Sequence, residues 1–333
     1  MKRLYLKTQE FRRRKRWHGL DVIKSGGGSA PYAWTRFNTT SGASDFVTAN
    51  EENKYPDKQT QNGFYYEKIA PYVVNVQTVS WQTGTDEQIA AMVAAADLGL
   101  INLKDYWNVG EYRTIQLSAM EATGVGETHA AQTATLVLMD KTCTGFTLAN
   151  ATSGGKNTPD FIVGLRNSLV ETGYMNPTDT NEGGWAGCAR RTWCNDVFRM
   201  AIPESIRGIF KQFKWKQRNG GKNSSGLVET IDYFGLAPEK VVLGYRTYGF
   251  ADEAALYTQW EWYEIGRRRN KKLGDTGSAN GWWKGSPYSG NNDDNDIGYG
   301  YIISGFCTNG IGGSEAGYQK ADTYFGLSPF GCV

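Results

Sequence analysis

Histidine is nearly absent: the chain of 333 residues has two, His18 and His129. There is no H-E-x-x-H pair, phosphate-binding loop, dinucleotide glycine run or nucleophile elbow, and Gly312-Gly-Ser-Glu-Ala316 misses the elbow pattern. The motif-borne chemistry of zinc proteases, nucleotide hydrolases, nicotinamide enzymes and α/β-hydrolases is therefore not written in this chain. Five cysteines (Cys143, Cys188, Cys194, Cys307 and Cys332) show no C-x-x-C spacing, so the common zinc sets are excluded too. Cys188 and Cys194 fall on an expected helix and are poorly aligned for a disulfide. Five reduced, mostly buried thiols are the expectation.

No apolar run approaches the about 20 residues of a membrane helix. The basic N-terminus is not followed by the apolar region of an export signal. The chain is expected to be made in the cytoplasm and to stay there, or to leave by lysis or inside a larger particle. No internal repeat is present. The net charge of +2 excludes a molecule that binds polyelectrolytes over its whole surface.

What is abundant is glycine, at 41 residues, and aromatics, at 13%. That mixture fits a loop-rich fold with tight turns and aromatic anchors, not a helical bundle. Hydrophobic residues at 40% are enough for a packed core, in one large domain or two modest ones. Positive charge is concentrated locally. Lys2, Arg3, Lys7, Arg12, Arg13, Arg14, Lys15 and Arg16 share the first 16 residues with one acid, Glu10. With the Ser25-Gly-Gly-Gly-Ser29 linker this reads as an arm, residues 1–30. A disordered tail, a segment ordering on a partner and a phosphate binder are its three readings.

Residues 31–71 read as a small β element, with a strand over Gly63–Ile69. A further strand is expected over Tyr72–Trp81. Thr85-Asp-Glu-Gln88 is a capping box, followed by Ile89, Met92, Val93 and Ala96 at helical spacing and Gly99 as the stop. Strands are expected over Glu111–Leu117, Gln132–Met139 and Asp160–Leu165, and over Tyr245–Phe250. Helices are expected over 186–200, from Pro203 through Phe213, and over 252–265, with a loop at 217–226. His129 reads as a hydrogen-bonded structural residue rather than a base.

The C-terminal stretch carries the candidate site. Trp282 and Trp283 are adjacent, so on a strand they face opposite ways, one into the core and one available for contacts. Tyr288 follows, and then the loop Asn291, Asn292, Asp293, Asp294, Asn295 and Asp296. Its carboxylates have no apolar shield, which argues against a glycosidase acid pair. A solvated turn, a cation site and a ligand-contact loop remain as its readings. No catalytic residue, metal or cofactor is assigned. Trp260-Glu-Trp-Tyr263 reads as core and rim.

Three segments resemble a known group. They are Phe161–Leu165 through Gly183-Gly-Trp-Ala-Gly-Cys-Ala-Arg-Arg-Thr-Trp-Cys194 to Ile209–Phe213; Trp282-Trp-Lys-Gly-Ser-Pro-Tyr288; and Gly326-Leu-Ser-Pro-Phe-Gly-Cys-Val333. Together they resemble an uncharacterised domain family of gut and clostridial phages, prophages and related bacteria, over roughly residues 72–333. The resemblance implies an α+β, C-type-lectin-like domain, loop-rich, with short antiparallel strands and about four helices. It implies a virion protein without enzymatic activity, such as a head fibre, a decoration protein, or a tail or baseplate component. The Glu-Pro-Asn and Trp-Asn-Asp calcium tripeptides are absent, so no calcium-dependent sugar site carries over.

On this reading residues 1–30 attach to other virion proteins through Arg12, Arg13, Arg14, Arg16 and Trp17. Residues 31–71 link, and 72–333 display Trp282–Asp296 toward a host surface or glycan. A homotrimer is expected, with no membrane insertion and nucleic acid not a partner. The particle would be released by lysis. A cell-wall glycan hydrolase and a bacterial lectin outside any virion are the alternatives.

Overall fold

The structure is a computed structural model. It describes residues 78–121, 127–220, 226–246, 249–269, 271–287 and 321–333, and the backbone of short strands between residues 21 and 75, at 301–304 and at 316–318. Of the arm expected over residues 1–30, Asp21–Lys24 is a described strand rather than free chain, while Arg12, Arg13, Arg14, Arg16 and Trp17 lie outside the described residues. So do the expected boundaries at residues 30 and 71.

The fold is α+β, with mostly antiparallel short strands and few helices. The chain divides into two compact units: residues 1–79, 84–103 and 152–156 form one, and residues 80–83, 104–151 and 157–333 the other.

The first unit holds a four-stranded antiparallel sheet that includes Tyr32–Asn38 and the expected strand Phe64–Ile69. It also pairs Asp21–Lys24 with Tyr72–Asn75. The strand expected over Tyr72–Trp81 stops at Asn75, and Trp81 sits in a turn of the second unit. The unit's helix, Asp86–Asp97, is the one the capping box predicts. Thr85 Oγ1 accepts from Gln88 N at 3.3 Å, and Gln88 Oε1 accepts from Thr85 N at 2.9 Å. Ile89, Met92, Val93 and Ala96 are buried, and Gly99 follows with φ 72°. Thr85→Ala is expected to lower stability by about 1 kcal/mol, read by denaturant unfolding and by faster exchange of the Gln88 amide.

The second unit is built on a five-stranded antiparallel sheet. Its order is Phe234–Leu236, Pro329–Cys332, Ile162–Leu165, Gln132–Asp140 and Tyr112–Leu117. Tyr112–Leu117 alternates exposed and buried because it is the edge strand with one wet face. Ile162–Leu165 and Pro329–Cys332 are buried throughout, as central strands covered on both faces must be. Pro329 opens its strand, the place where a missing N–H does least harm. Phe330 gathers the aromatic core: Phe146, Phe213, Trp215 and Trp260 lie 5.0 to 5.6 Å from it between ring centroids. Such ring pairs add about 0.5–1.5 kcal/mol each beyond burial.

Beside this core, Phe213–Arg218 pairs with Leu227–Asp232, and Asp232 becomes a buried hub. Its Oδ2 accepts from Trp215 Nε1 at 2.7 Å, Trp185 Nε1 at 3.1 Å and Thr230 Oγ1 at 2.7 Å. Its Oδ1 accepts from Arg191 Nε at 2.7 Å and Asn195 Nδ2 at 3.0 Å.

Three expected helices, one strand and one loop also differ. The helix over 186–200 is Ala189–Trp193, then a wider π-turn at Cys194–Phe198, then Arg199–Ala201. Gly184–Gly187 is a separate turn, because Cys188 between them is extended. The helix from Pro203 ends at Arg207. Phe213 instead opens a strand, since ladder bonds to Leu227–Asp232 replace helical ones. The 3.6-residue pattern there still marks burial: Ile206, Ile209, Phe210 and Phe213 are all core.

The 252–265 helix is reduced to Ala251–Ala254 and a 3-10 turn at Glu261–Glu264. Tyr245–Phe250 forms no strand among its described residues. The loop expected at 217–226 begins after Arg218, which is still strand. Cys143, Cys188, Cys194 and Cys332 are buried thiols, as expected; Cys307 lies outside the described residues.

Candidate functional site

The strand Trp282–Pro287 carries the predicted aromatic pair. It is the middle strand of a second five-stranded sheet, ordered Thr172–Gly173, Phe325–Gly326, Trp282–Pro287, Tyr301–Ser304 and Ala316–Tyr318. All six of its residues are buried. The expectation that one tryptophan is free for contacts is therefore corrected, as both are fully buried. Period-two alternation separates wet from dry only when one face of a sheet meets water, and this strand is covered on both.

Each indole is held by its own hydrogen bond. Trp282 Nε1 donates to Arg269 O at 3.0 Å, and Trp283 Nε1 donates to Gly173 O at 2.8 Å. Trp282 stacks on Tyr263, and Trp283 meets Phe325 edge-on at 5.3 Å. Both are frame, not contact surface. Trp260, Trp262 and Tyr263 are buried too, matching the core reading of that string.

Sequence reasoning passed over the residues between and beyond the tryptophans. Lys284 and Ser286 are fully buried polar groups on this strand. Ser286 Oγ accepts from Glu239 N at 2.9 Å and is hydrogen-bonded to Glu253 Oε1. Glu253 Oε2 accepts from Arg218 N at 2.8 Å, and Glu239 Oε2 accepts from Gly249 N at 2.7 Å. Gly285 is required here, because a Cβ would lie 2.7 Å from Gln217 Nε2 and collide with Leu236 O.

Burial pushes the Glu253 carboxyl up to about 7, and the neighbouring Glu239 and Asp252 charges push the same way. Burial also pulls Lys284 down to about 7, with Glu239 opposing and Arg269 assisting. Among the described residues, Lys284 Nζ and the Gln217 side-chain amide meet no hydrogen-bond partner. The hint available in sequence was a lysine and a serine inside an otherwise apolar, aromatic strand. Lys271 is a second buried amine, pulled by burial to about 7. It donates to Leu165 O and Arg166 O and faces the rings of Tyr263 and Trp282.

His129 is buried, as a structural residue should be; its backbone exchanges two hydrogen bonds with Met120, each 2.8 Å, while its ring is held by packing. Its ring lies 5.2 Å from Trp193, and Nδ1 is 3.4 Å from Glu171 Oε2, an ion pair only when the ring is protonated. Burial lowers its pKa to about 4, and Arg190 adds to this while Glu171 opposes it. Arg190 is fully buried beside it. Its Nη2 donates to Glu127 Oε2 at 2.7 Å, its Nε donates to Tyr174 O at 2.7 Å, and its guanidinium lies over Trp193 at 4.8 Å.

Tyr288 and the loop residues Asn291, Asn292, Asp293, Asp294 and Asp296 lie outside the described residues. Their two anchors do not: the antiparallel strands Trp282–Pro287 and Tyr301–Ser304 are paired, with Trp283 opposite Ile303 and Pro287 opposite Tyr301. Among the described residues, no group of three or more metal-ligating side chains occurs. Nor is any helix there long and apolar enough to cross a membrane. No protein-family model, curated protein or solved structure matches the chain.

Proposed function

We propose that this chain is a structural protein of a phage virion, a head-fibre, decoration, tail or baseplate component. It would display a C-type-lectin-like domain for contact with a host surface or glycan. The observation that carries this reading is the mounting of segment 288–300. It joins two paired strands of a sheet whose middle strand is buried along its whole length. A polar, asparagine- and aspartate-rich loop on a rigid frame is the usual arrangement of a recognition surface. The segments behind the family resemblance also adjoin one another: Ile162–Leu165 pairs with Pro329–Cys332, and Gly326 lies opposite Trp282. The basic arm is the attachment segment, and a homotrimer is the assembly.

Glu253 has the raised proton affinity that a glycan hydrolase acid needs, but only 2% of its surface is exposed. Its carboxyl is spent on Ser286 and Arg218, so it gives that alternative no support.

The test is immunogold labelling of purified particles with antibody to residues 72–333, together with adsorption by an Asp293→Ala/Asp294→Ala variant. Label on the particle and adsorption reduced about tenfold are expected. Unlabelled particles would remove the virion reading, and unchanged adsorption would remove the loop as the contact site.

A further inference from the structure

Four segments meet at two buried carboxylates. Phe213–Arg218 contributes the Arg218 amide, Glu239–Leu243 contributes Glu239, Ala251–Ala254 contributes Glu253, and Trp282–Pro287 contributes Ser286. Among the described residues, the charged and titratable groups around Glu253 and Glu239 are Asp252, Arg218, Lys284 and Tyr257. None of them hands Glu253 a positive charge directly. Arg218 reaches it through its backbone N–H, while its guanidinium pairs with Asp252 at 2.6 Å. Tyr257 gives its hydroxyl to Lys216 O. Ionised Glu253 would therefore put a second negative charge beside Glu239 with only two neutral donors to hold it. A buried charge so poorly compensated is costly.

We propose that Ser286, Glu239 and Glu253 form a proton-operated clamp. It joins these four segments while the Glu253 carboxyl is protonated and loosens them when that proton leaves. The neutral acid places its own O–H against Ser286 Oγ, which still accepts from Glu239 N, and Oε2 still accepts from Arg218 N. The heavy-atom contacts survive protonation: the Ser286–Glu253 bond reverses its donor, the Ser286 hydroxyl proton gives up Glu253 Oε1, and the buried charge disappears. The clamp lies at the C-terminal end of the strand that leads into segment 288–300, and the inference holds whether or not the chain belongs to a virion.

The direction with pH follows from linkage. A carboxyl whose folded pKa is raised to about 7 contributes stability that is full below its unfolded value and is lost as pH rises to about 7. His129, lowered to about 4, works oppositely over much of the same range. The wild-type profile therefore mixes opposed terms, and the informative quantity is the difference between a variant and its parent.

Glu253→Gln keeps the shape and a neutral donor and acceptor. The full-length variant is expected to gain stability relative to wild type as pH rises from 5 to 8, with the ratio of their unfolding constants changing on the order of a hundredfold. A constant ratio across that range would overturn the proposal. Native-state hydrogen exchange of the wild type gives a second reading that needs no variant. Protection of the Arg218, Glu239 and Gly249 amides, corrected for intrinsic rates, should fall between pH 6 and 8. Protection of the Tyr233 amide, which donates to Asn195 at 2.6 Å, should not. Equal behaviour of both sets would also sink the clamp.

Discussion

Asp232→Ala is expected to cost about 3–5 kcal/mol of unfolding free energy, among the largest single-residue effects in the molecule. The carboxylate takes five hydrogen bonds, two from the indoles of Trp185 and Trp215 and one from the Arg191 guanidinium. Alanine leaves those donors facing one another in a site that is 1% exposed. Asp232→Asn should recover less than half of the loss, because its amide nitrogen must point a donor at other donors. Denaturant unfolding followed by tryptophan fluorescence reads both variants. An Asn variant within 1 kcal/mol of wild type would show that charge is not what holds the hub.

The second large effect is at Arg190. Arg190→Met removes the cation that neutralises Glu127, whose side chain is 8% exposed, and leaves a buried carboxylate held, among the described residues, by the Tyr174 amide. The expected loss is again about 3–5 kcal/mol. Adding Glu127→Gln to Arg190→Met should restore part of it, because the double variant buries no unpaired charge. A double variant as unstable as the sum of its single variants would contradict this. His129 supplies an independent readout. Its stability cost is absent above its unfolded pKa and grows as pH falls from about 6.5 toward about 4. Arg190 is one reason its affinity for a proton is low, so Arg190→Met should weaken that dependence. NMR titration of His129 in the variant would show a higher pKa than in wild type.

Both clusters draw on residues far apart in sequence, which is why neither was legible there. Glu127 and Arg190 are separated by 63 positions, and Ser286 and Glu253 by 33. No spacing rule links such pairs. The aromatic strand was legible as a feature but was misread in role. Trp282-Trp-Lys-Gly-Ser-Pro287 announces an unusual environment, yet alternation could not reveal that both faces are covered. The helix failures have a related cause. Ile206, Ile209, Phe210 and Phe213 follow a helical period, but the last of them opens a strand because a partner at Leu227–Asp232 was available.

What the sequence by itself determined is local. The capping box set the start of Asp86–Asp97, alternation set the edge strand Tyr112–Leu117, and apolar runs set the central strands. These signals act within a few residues, through backbone hydrogen bonds and the period of the side chains. Only the tertiary structure decided the rest: the burial of both tryptophans, the packing of the His129 ring against Trp193, and the meeting of Glu239, Glu253 and Ser286. Desolvation and electrostatics depend on every neighbour in space, and the order of strands in a sheet, not their order in the chain, chooses those neighbours.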